Sequence, residues 1–463
     1  MAAPILFQNI ATSQDNKNAW HFRLTPTHVA YANTLRRLVL TGVETVAFRA
    51  DMTENGTTSD VMVNTNTTPM TNEMLAHRIG LLPLYVPEPL KFESAKYLFK
   101  LEEQNNKDVS QDVTCSDFTV YEVSTGIPES SNNMSGGEND EDSESNSESN
   151  SNSNSNTNSN SESNTNASSN SNTNASSSPN TTPILEPVEI RKRIPTELFF
   201  PPHPLTRDTC LITTFKPTIY GKAAGESISL LARPSLGTGR ENARFIPVSQ
   251  CSYVYSRDTS PDKVRAMYEK WLINHKKVMP ESLKEEPERA TILEREFNTM
   301  EVAKVYLTDE NGEPFSFDFT VETVGVLSVP YIIQRACEVG EQMCLKYANI
   351  GEKSIDTVYL QPADARIRGF DVLFQGEDHT LGNLFQTWID QNLVGKGVVT
   401  FAGYKIPHPL RDEMLLRIGV EDGKESSART AVAQAARACA GMFRSWRDNW
   451  QQAIAGTTRK SIR

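Results

Sequence analysis

Long apolar runs are absent. Nowhere in the 463 residues do about 18 hydrophobic residues follow one another, so no segment reads as a membrane-spanning helix. The N-terminal stretch MAAPILFQNIATSQDN lacks a basic region leading into an apolar one, and does not read as a secretory signal. Cys115, Cys210, Cys251, Cys337, Cys344 and Cys439 are scattered, with no CxxC pair, which argues against a disulfide framework and a Cys-based zinc site. GxGxxG, GxxxxGK[ST] and a paired-Asp motif for two-metal phosphoryl transfer are all missing. Positive charge is in deficit, 46 Lys and Arg against 58 Asp and Glu, for a net charge of -12. That balance argues against a broad phosphate-gripping surface but leaves room for a local basic patch. The expectation is a soluble intracellular chain, long enough for more than one core.

What is present begins with a compositional boundary. Residues 129–182 are nearly all Ser, Asn, Thr and acid. So little apolar surface cannot offset ordering entropy, so the tract reads as a disordered loop insertion. Before it, AWHFRL reads as a strand and TPTHVAYANTLRRLVLTG as a capped helix. VMVNTNTTPMTNEMLAHRIGLLPL follows as strand, turn and short helix. After the tract, TCLITTFKP, SISLLARP and RFIPVSQCSYVY are strand-like. A charged stretch from Pro261 to Phe297 reads as part helix, part linker. FSFDFTVETVG alternates as a strand, and SVPYIIQRACEVGEQMCLKYANIG is a helix with Pro330 near its start. The last hundred residues read as strand, helix, two strands and a long final helix.

On a helical wheel, Tyr31, Leu35, Leu38 and Val39 share one side of the first helix. Asn33, Arg36 and Arg37 gather on the other side with Leu40, a mixed composition suited to a protein interface. In the helix after Thr380, the predicted N-cap, Leu381, Leu384, Phe385, Trp388 and Ile389 make a broad apolar stripe. The final helix carries a continuous stripe through Cys439, Phe443, Trp446 and Trp450, roughly 40 Å of it at 1.5 Å per residue. A small module cannot cover so long a stripe, so part of it is expected to meet another surface. Each half thus has a strand, a short helix with Asn near Leu (ANTL, GNL) and a closing amphipathic helix. The pattern predicts an α+β fold of two related units packed helix to helix about a pseudo-twofold axis.

ANTLRRLVLTGVETVAF and VNTNTTPMTNEMLAHRIGLLPL resemble the alpha-like assembly subunit of multisubunit RNA polymerases. That family comprises the third-largest subunit of eukaryotic polymerase II, its archaeal counterpart and the N-terminal domain of bacterial alpha. FSFDFTVETVGVLSVPYII resembles the return of that subunit to its dimerisation domain. GEDHTLGNLF with FAGYKIPHPL resembles the small partner of the same pair, in its polymerase II or archaeal form. The chain thus looks like the two partners fused, similar to the arrangement in some large cytoplasmic DNA viruses.

The resemblance implies alpha-N-terminal-like dimerisation modules forming a pseudo-dimer within one chain. Residues 1–46 and 247–350 would form the large-partner module, 47–246 an inserted β-rich domain holding the disordered tract, and 355–463 the small-partner module. It implies dimerisation through Tyr31, Leu35, Leu38, Val39, Leu381, Leu384, Phe385, Trp388, Phe443, Trp446 and Trp450. Asn33, Arg36, Arg37, Leu40, His77, Arg78 and Gly80 would face a large subunit. The implied partners are the two largest polymerase subunits and other small ones, with DNA met only through the complex and no membrane. The implied place is host cytoplasm (the viral factory) and virion for a virus, or the nucleus for a cell. Relatives often carry a Cys cluster in the inserted domain, whereas only Cys115 and Cys210 lie there, so no metal, other cofactor or catalytic residue is expected. The family's HAKW-like segment reads ENARF here, with Asn242, Arg244 and Phe245 departing from it.

Two rivals are weaker. Gly376 to His379, GEDH, has the side chains of acid–base chemistry, but adjacent residues before a helix cannot all converge on one point. His77 and His408 read as packed or hydrogen-bonded groups, not ligands. The alternative is a nucleic-acid-binding accessory protein using the basic C-terminal helix, where Arg429, Arg437, Arg444, Arg447, Arg459, Lys460 and Arg463 outnumber Asp448. Most of these are expected on an ordinary solvated face.

Overall fold

The computed structural model describes residues 6–51, 60–123, 190–218, 225–284, 286–364 and 366–461, the last five as backbone only. The Ser/Asn tract at 129–182 lies outside the described residues.

The chain opens with β1 (Phe7–Thr12), β2 (Ala19–Leu24), α1 (Val29–Thr41) and β3 (Glu44–Ala47). An inserted region follows: β4 (Val61–Asn66), α2 (Asn72–Gly80), β5 (Tyr97–Gln104), β6 (Gln111–Thr114), β7 (Thr119–Val123), β8 (Ile190–Ile194), β9 (Leu211–Phe215), β10 (Ser227–Ala232) and β11 (Ser235–Thr238). The first unit resumes with β12 (Val248–Tyr255), α3 (Pro261–Trp271), α4 (Pro287–Met300), β13 (Phe317–Thr323) and α5 (Val329–Leu345). The last unit holds β14 (Val358–Pro362), β15 (Gly369–Gln375), α6 (His379–Asn392), β16 (Val399–Lys405), β17 (Glu413–Val420) and α7 (Glu425–Ser461).

Two four-stranded antiparallel sheets share one topology. The first runs β1-β2-β13-β12 and the last β14-β15-β17-β16. Strand for strand these correspond, with α1 matching α6 and α5 matching α7. The repeat glimpsed in ANTL and GNL is therefore a repeat of architecture. The inserted region forms a five-stranded sheet, β4-β10-β5-β7-β8, with two ribbons, β3-β11 and β6-β9, around its own core of Phe99, Phe118, Phe200 and Leu230. Arg335 of α5 grips Glu44 of β3 with two hydrogen bonds of 2.8 and 2.9 Å, bracing the base of this region against the first unit.

The alternation in β13 places Phe317, Phe319 and Val321 inward, where they meet the apolar side of α1 and α5. One continuous core then runs from Phe7 and Phe22 through Leu35, Leu38 and Val39 to Leu381, Leu384, Phe385, Phe443, Trp446 and Trp450. The stripe on α7 is too long for its own sheet, and the first unit covers the remainder. Trp450 sits edge-on to Phe7 at 5.1 Å and to Phe22 at 5.2 Å, while its indole N–H donates to the Pro330 carbonyl at 2.9 Å. Gly340 of α5 has no room for a side chain. A Cβ there would stand 2.9 Å from both Leu38 and Phe443, so α1, α5 and α7 approach one another over a glycine.

The charged stretch is part helix and part connection, as expected, and its two helices also carry apolar sides. Val264, Tyr268 and Trp271 share one side of α3, and Leu293 and Phe297 one side of α4. Together they close a small separate core, with the charges on the outer faces.

Truncating Trp450 to Ala removes a buried ring and leaves the Pro330 carbonyl without its donor. We expect a loss of about 3–5 kcal/mol, read as a lower urea midpoint by tryptophan fluorescence and by near-ultraviolet circular dichroism. Unchanged midpoints would show that this ring does not join the halves.

Candidate assembly interface

The joint between the two units combines apolar rods with buried polar clasps. Glu341 of α5, 8% exposed, meets Arg444 at 2.6 Å and Arg447 at 3.2 Å, both on α7. A buried carboxylate held by two guanidinium groups is directional, and removing the arginines would strand it. Glu377, 7% exposed, accepts from the Tyr347 hydroxyl at 2.7 Å and from Lys346 at 3.2 Å. Burial, followed by the Glu377 charge, pushes the Tyr347 phenol well above its usual range. The Tyr31 hydroxyl donates to Gln391 at 3.0 Å, and Arg240 of the inserted region reaches Asp412 at 2.7 Å.

The two arginines that the helical wheel groups together part company. Arg37 turns into the joint: its Nε donates to Thr380 Oγ1 at 2.8 Å and its Nη2 to Asp378 at 3.1 Å. Arg36 turns the other way, toward β12, and bonds to Asn33 at 2.9 Å. The N-cap of α6 is Asp378, which accepts from the Thr380 backbone N–H at 2.7 Å, and not Thr380 itself. A carboxylate one turn-start earlier also serves the helix dipole, which frees the Thr380 hydroxyl for Arg37. Burial alone would raise the Asp378 carboxyl, but its bonds from Thr380 and the Arg37 charge hold it below the usual carboxylate range.

GEDH does not assemble a catalytic group. Glu377 goes to Tyr347, Asp378 to Thr380 and Arg37, and the His379 imidazole pairs with the Tyr404 hydroxyl at 3.2 Å. His408 accepts from the Leu410 N–H, whereas His77 is exposed with no hydrogen bond among the described residues, contrary to the packed or hydrogen-bonded group expected. Beside it, Arg78 donates to the Ile212 and Leu211 carbonyls at 2.7 and 3.2 Å, tying α2 to β9. Gly80 is buried: a Cβ there would stand 3.0 Å from the Phe48 carbonyl and 3.2 Å from Arg244. Leu40 and Trp388 are half-buried against the shared core. ENARF is an internal brace, with Asn242 capping a short turn, Arg244 donating to Phe48 O and Asp51, and Phe245 buried beneath Arg49.

The basic face of α7 is in part solvated, as expected, with Arg437 and Arg444 more than half exposed, yet its described arginines also find partners within the chain. Arg429 bonds Glu425 and the Ile350 carbonyl, Arg437 bonds Glu352, and Arg444 and Arg447 hold Glu341. The side chains of Arg459, Lys460 and Arg463 lie outside the described residues. Asn33, Arg36 and Arg37 could be found on a wheel; the polar clasps could not, because their members lie up to 360 residues apart.

Cysteine scatter also hides a pair. Next to the β6–β9 ribbon the Cys115 N–H donates to the Cys210 carbonyl at 2.9 Å, and their side chains bond to each other. The bond from Cys115 holds the exposed Cys210 thiol below its usual range, while that bond and burial push Cys115 up. Among the described residues no three His, Cys, Asp or Glu side chains cluster as a metal site requires. No helix among them is long and apolar enough to cross a membrane.

Two outcomes follow from these contacts. Cys210 is the thiol expected to react first with iodoacetamide in the native protein, and to keep reacting as pH falls from about 8.5 toward 7, where an ordinary thiol slows about tenfold or more; peptide mapping of the alkylated sites reads this. Arg37→Ala is expected to cost about 1 kcal/mol after solvent screening. Because the Asp378 carboxyl is depressed, that difference in urea stability is complete at neutral pH. It fades as pH falls below about 4, through the folded value. A difference that persists at acid pH would exclude the ion pair as its source.

Comparison with known proteins places this joint in context. The sequence profile described as the RNA polymerase Rpb3/Rpb11 dimerisation domain matches residues 21–344, and a second profile of the same description matches residues 370–449. The first match runs from β2 through α5 with the inserted region inside it, and the second covers β15 through most of α7. DNA-directed RNA polymerase II subunit RPB3 of Schizosaccharomyces pombe is 45% identical over 69 residues, 15% of this chain and 20% of that protein. Subunit RPB11 of the same organism is 36% identical over 66 residues, 14% of this chain and 49% of that protein. Subunit Rpo11 of Metallosphaera sedula is 46% identical over 48 residues, 10% of this chain and 49% of that protein. The alignments thus span about a fifth of the RPB3 relative and about half of the RPB11 and Rpo11 relatives. With one match on each of two units that share a strand order and clasp through paired helices, the chain belongs to the RNA polymerase Rpb3/Rpb11 dimerisation domain family.

Proposed function

We propose that this chain is a non-catalytic assembly platform of a DNA-directed RNA polymerase, carrying both alpha-like partners on one polypeptide. The observation that supports it most directly is the shared core of the two units, sealed by the Glu341 and Glu377 clasps. Such a joint is what a subunit pair needs to hold its shape before larger partners arrive. Joining the halves covalently raises the effective concentration of the second toward the millimolar range, so pairing precedes recruitment. Residues 1–46 and 247–350 form the large-partner module in this reading, 47–246 the inserted domain and 355–463 the small-partner module. The two outer faces are nonequivalent, and each takes one of the two largest polymerase subunits, with other small subunits alongside and DNA met only through the complex.

On the first face we assign Asn33, Arg36 and Leu40, together with exposed His77 and the neighbouring Arg78. Gly80 serves by close packing, and Arg37 serves the joint. The rival nucleic-acid reading gains no support from the described arginines of α7, which are tied to carboxylates of the chain itself.

Co-expression with the two largest subunits of the source polymerase tests this. The tagged chain is expected to retain both in stoichiometric amounts through a high-salt wash. Arg36→Ala is expected to weaken capture of one large subunit about tenfold without moving the melting temperature. A chain that stays alone, or that instead binds duplex DNA with steep salt dependence, overturns the proposal.

A further inference from the structure

The strand β12 lies at the edge of its sheet, and among the described residues no strand pairs with its outer side. A groove of about 870 Å³ runs there. Cys251, Tyr253 and Tyr255 line it from one face of β12, while Ser252 and Val254 line it from the other. A cavity lined by both faces of an edge strand straddles that edge. Its unpaired backbone donors and acceptors are what another extended chain would satisfy. The far wall comes from Arg257 and Tyr306, which bridge to each other where the α3–α4 region returns.

The charge in this groove is open. Arg23 is paired with Asp318 at 2.7 Å, but Arg36 bonds only to Asn33, and the exposed Arg257 has no ion partner among the described residues. The related unit shows what a closed version looks like. Asn383 of α6 stands where Asn33 stands in α1, so Gln386, three residues on, corresponds to Arg36. Gln386 accepts from the Tyr404 N–H of edge strand β16 at 3.0 Å and satisfies that strand from within its own unit. In the first unit a guanidinium replaces the amide and the edge is left for an outside partner.

We propose that the β12 edge is a docking groove for an extended acidic segment of a partner polypeptide, which adds as a strand and places Asp or Glu side chains on Arg36 and Arg257. The proposal rests on the Arg36 face being an outer binding face, as assigned above. A nucleic-acid strand fits less well. Phosphates can take the N–H groups of β12 but cannot answer its carbonyls, Asp318 opposes them, and two open guanidinium groups are few for a phosphate track. Tyr253, Tyr255 and Tyr306 give a segment with alternating apolar residues flat walls to pack on.

The test uses the full chain and a fluorescein-labelled peptide of about seven residues alternating Glu with Val, followed by anisotropy up to millimolar concentration. A Lys-for-Glu peptide and single-stranded oligothymidylate serve as competitors. We expect the acidic peptide to bind, the basic one to fail, and Arg36→Gln or Arg257→Gln each to weaken binding about tenfold, with the melting temperature unchanged. Tighter binding of the oligonucleotide, equal binding of the basic peptide, no binding at all, or indifference to both variants overturns the groove proposal. Large-subunit capture by Arg36→Gln separates the two readings. Peptide loss with full capture supports the groove and removes this face from the platform, whereas full capture without any peptide binding leaves the platform and removes the groove.

Discussion

The crossing of α5 and α7 is the constraint on which the rest depends. Over Gly340 the helices come so close that Leu38 of α1 and Phe443 of α7 each stand 2.9 Å from where a Cβ would sit, and no larger residue would fit. From that crossing α7 continues across the first sheet, where Trp446 and Trp450 bury against Phe7 and Phe22. The hydrophobic effect supplies most of the attraction, yet it is not directional. Direction comes from Glu341 between Arg444 and Arg447 and from the Trp450 N–H on Pro330. A sliding or rotated helix pair would bury those charges without partners.

The same crossing makes near-equivalent units differ where they face outward. Both sheets have one strand order, and both carry a short helix with an asparagine near its middle. In one unit the residue three places beyond that asparagine is Gln386, which closes onto its own edge strand; in the other it is Arg36, which does not. Arg37, next in line, reaches across to the cap of α6. The two units are thus pseudo-symmetric in their sheets and core and asymmetric at the outer helix face.

Much of the fold was legible in the sequence. Period-two alternation in FSFDFTVETVG and the i, i+3, i+4 stripe from Leu381 to Ile389 predicted β13 and α6, because burial selects apolar residues at the period of the backbone. The stripe on α7 even showed that a second surface had to cover it. In the charged stretch the helices were legible but their small shared core was not, because charges on the outer faces of α3 and α4 outnumber the few apolar residues between them. On α7 the charges lie on an outward face as expected, but counting them does not show that carboxylates from α5 and its trailing turns stand beside them.

By itself the sequence determined the main helices and about half of the strands, the twofold repetition and the family, since these rest on local periodicity and contiguous motifs. Only the tertiary structure decided which of two adjacent arginines faces inward, that Asp378 and not Thr380 caps α6, and that Cys115 meets Cys210. Each of those depends on a partner far away in the chain. A 100° step along a helix says which way a side chain leaves the axis, but not what another segment has brought there to meet it.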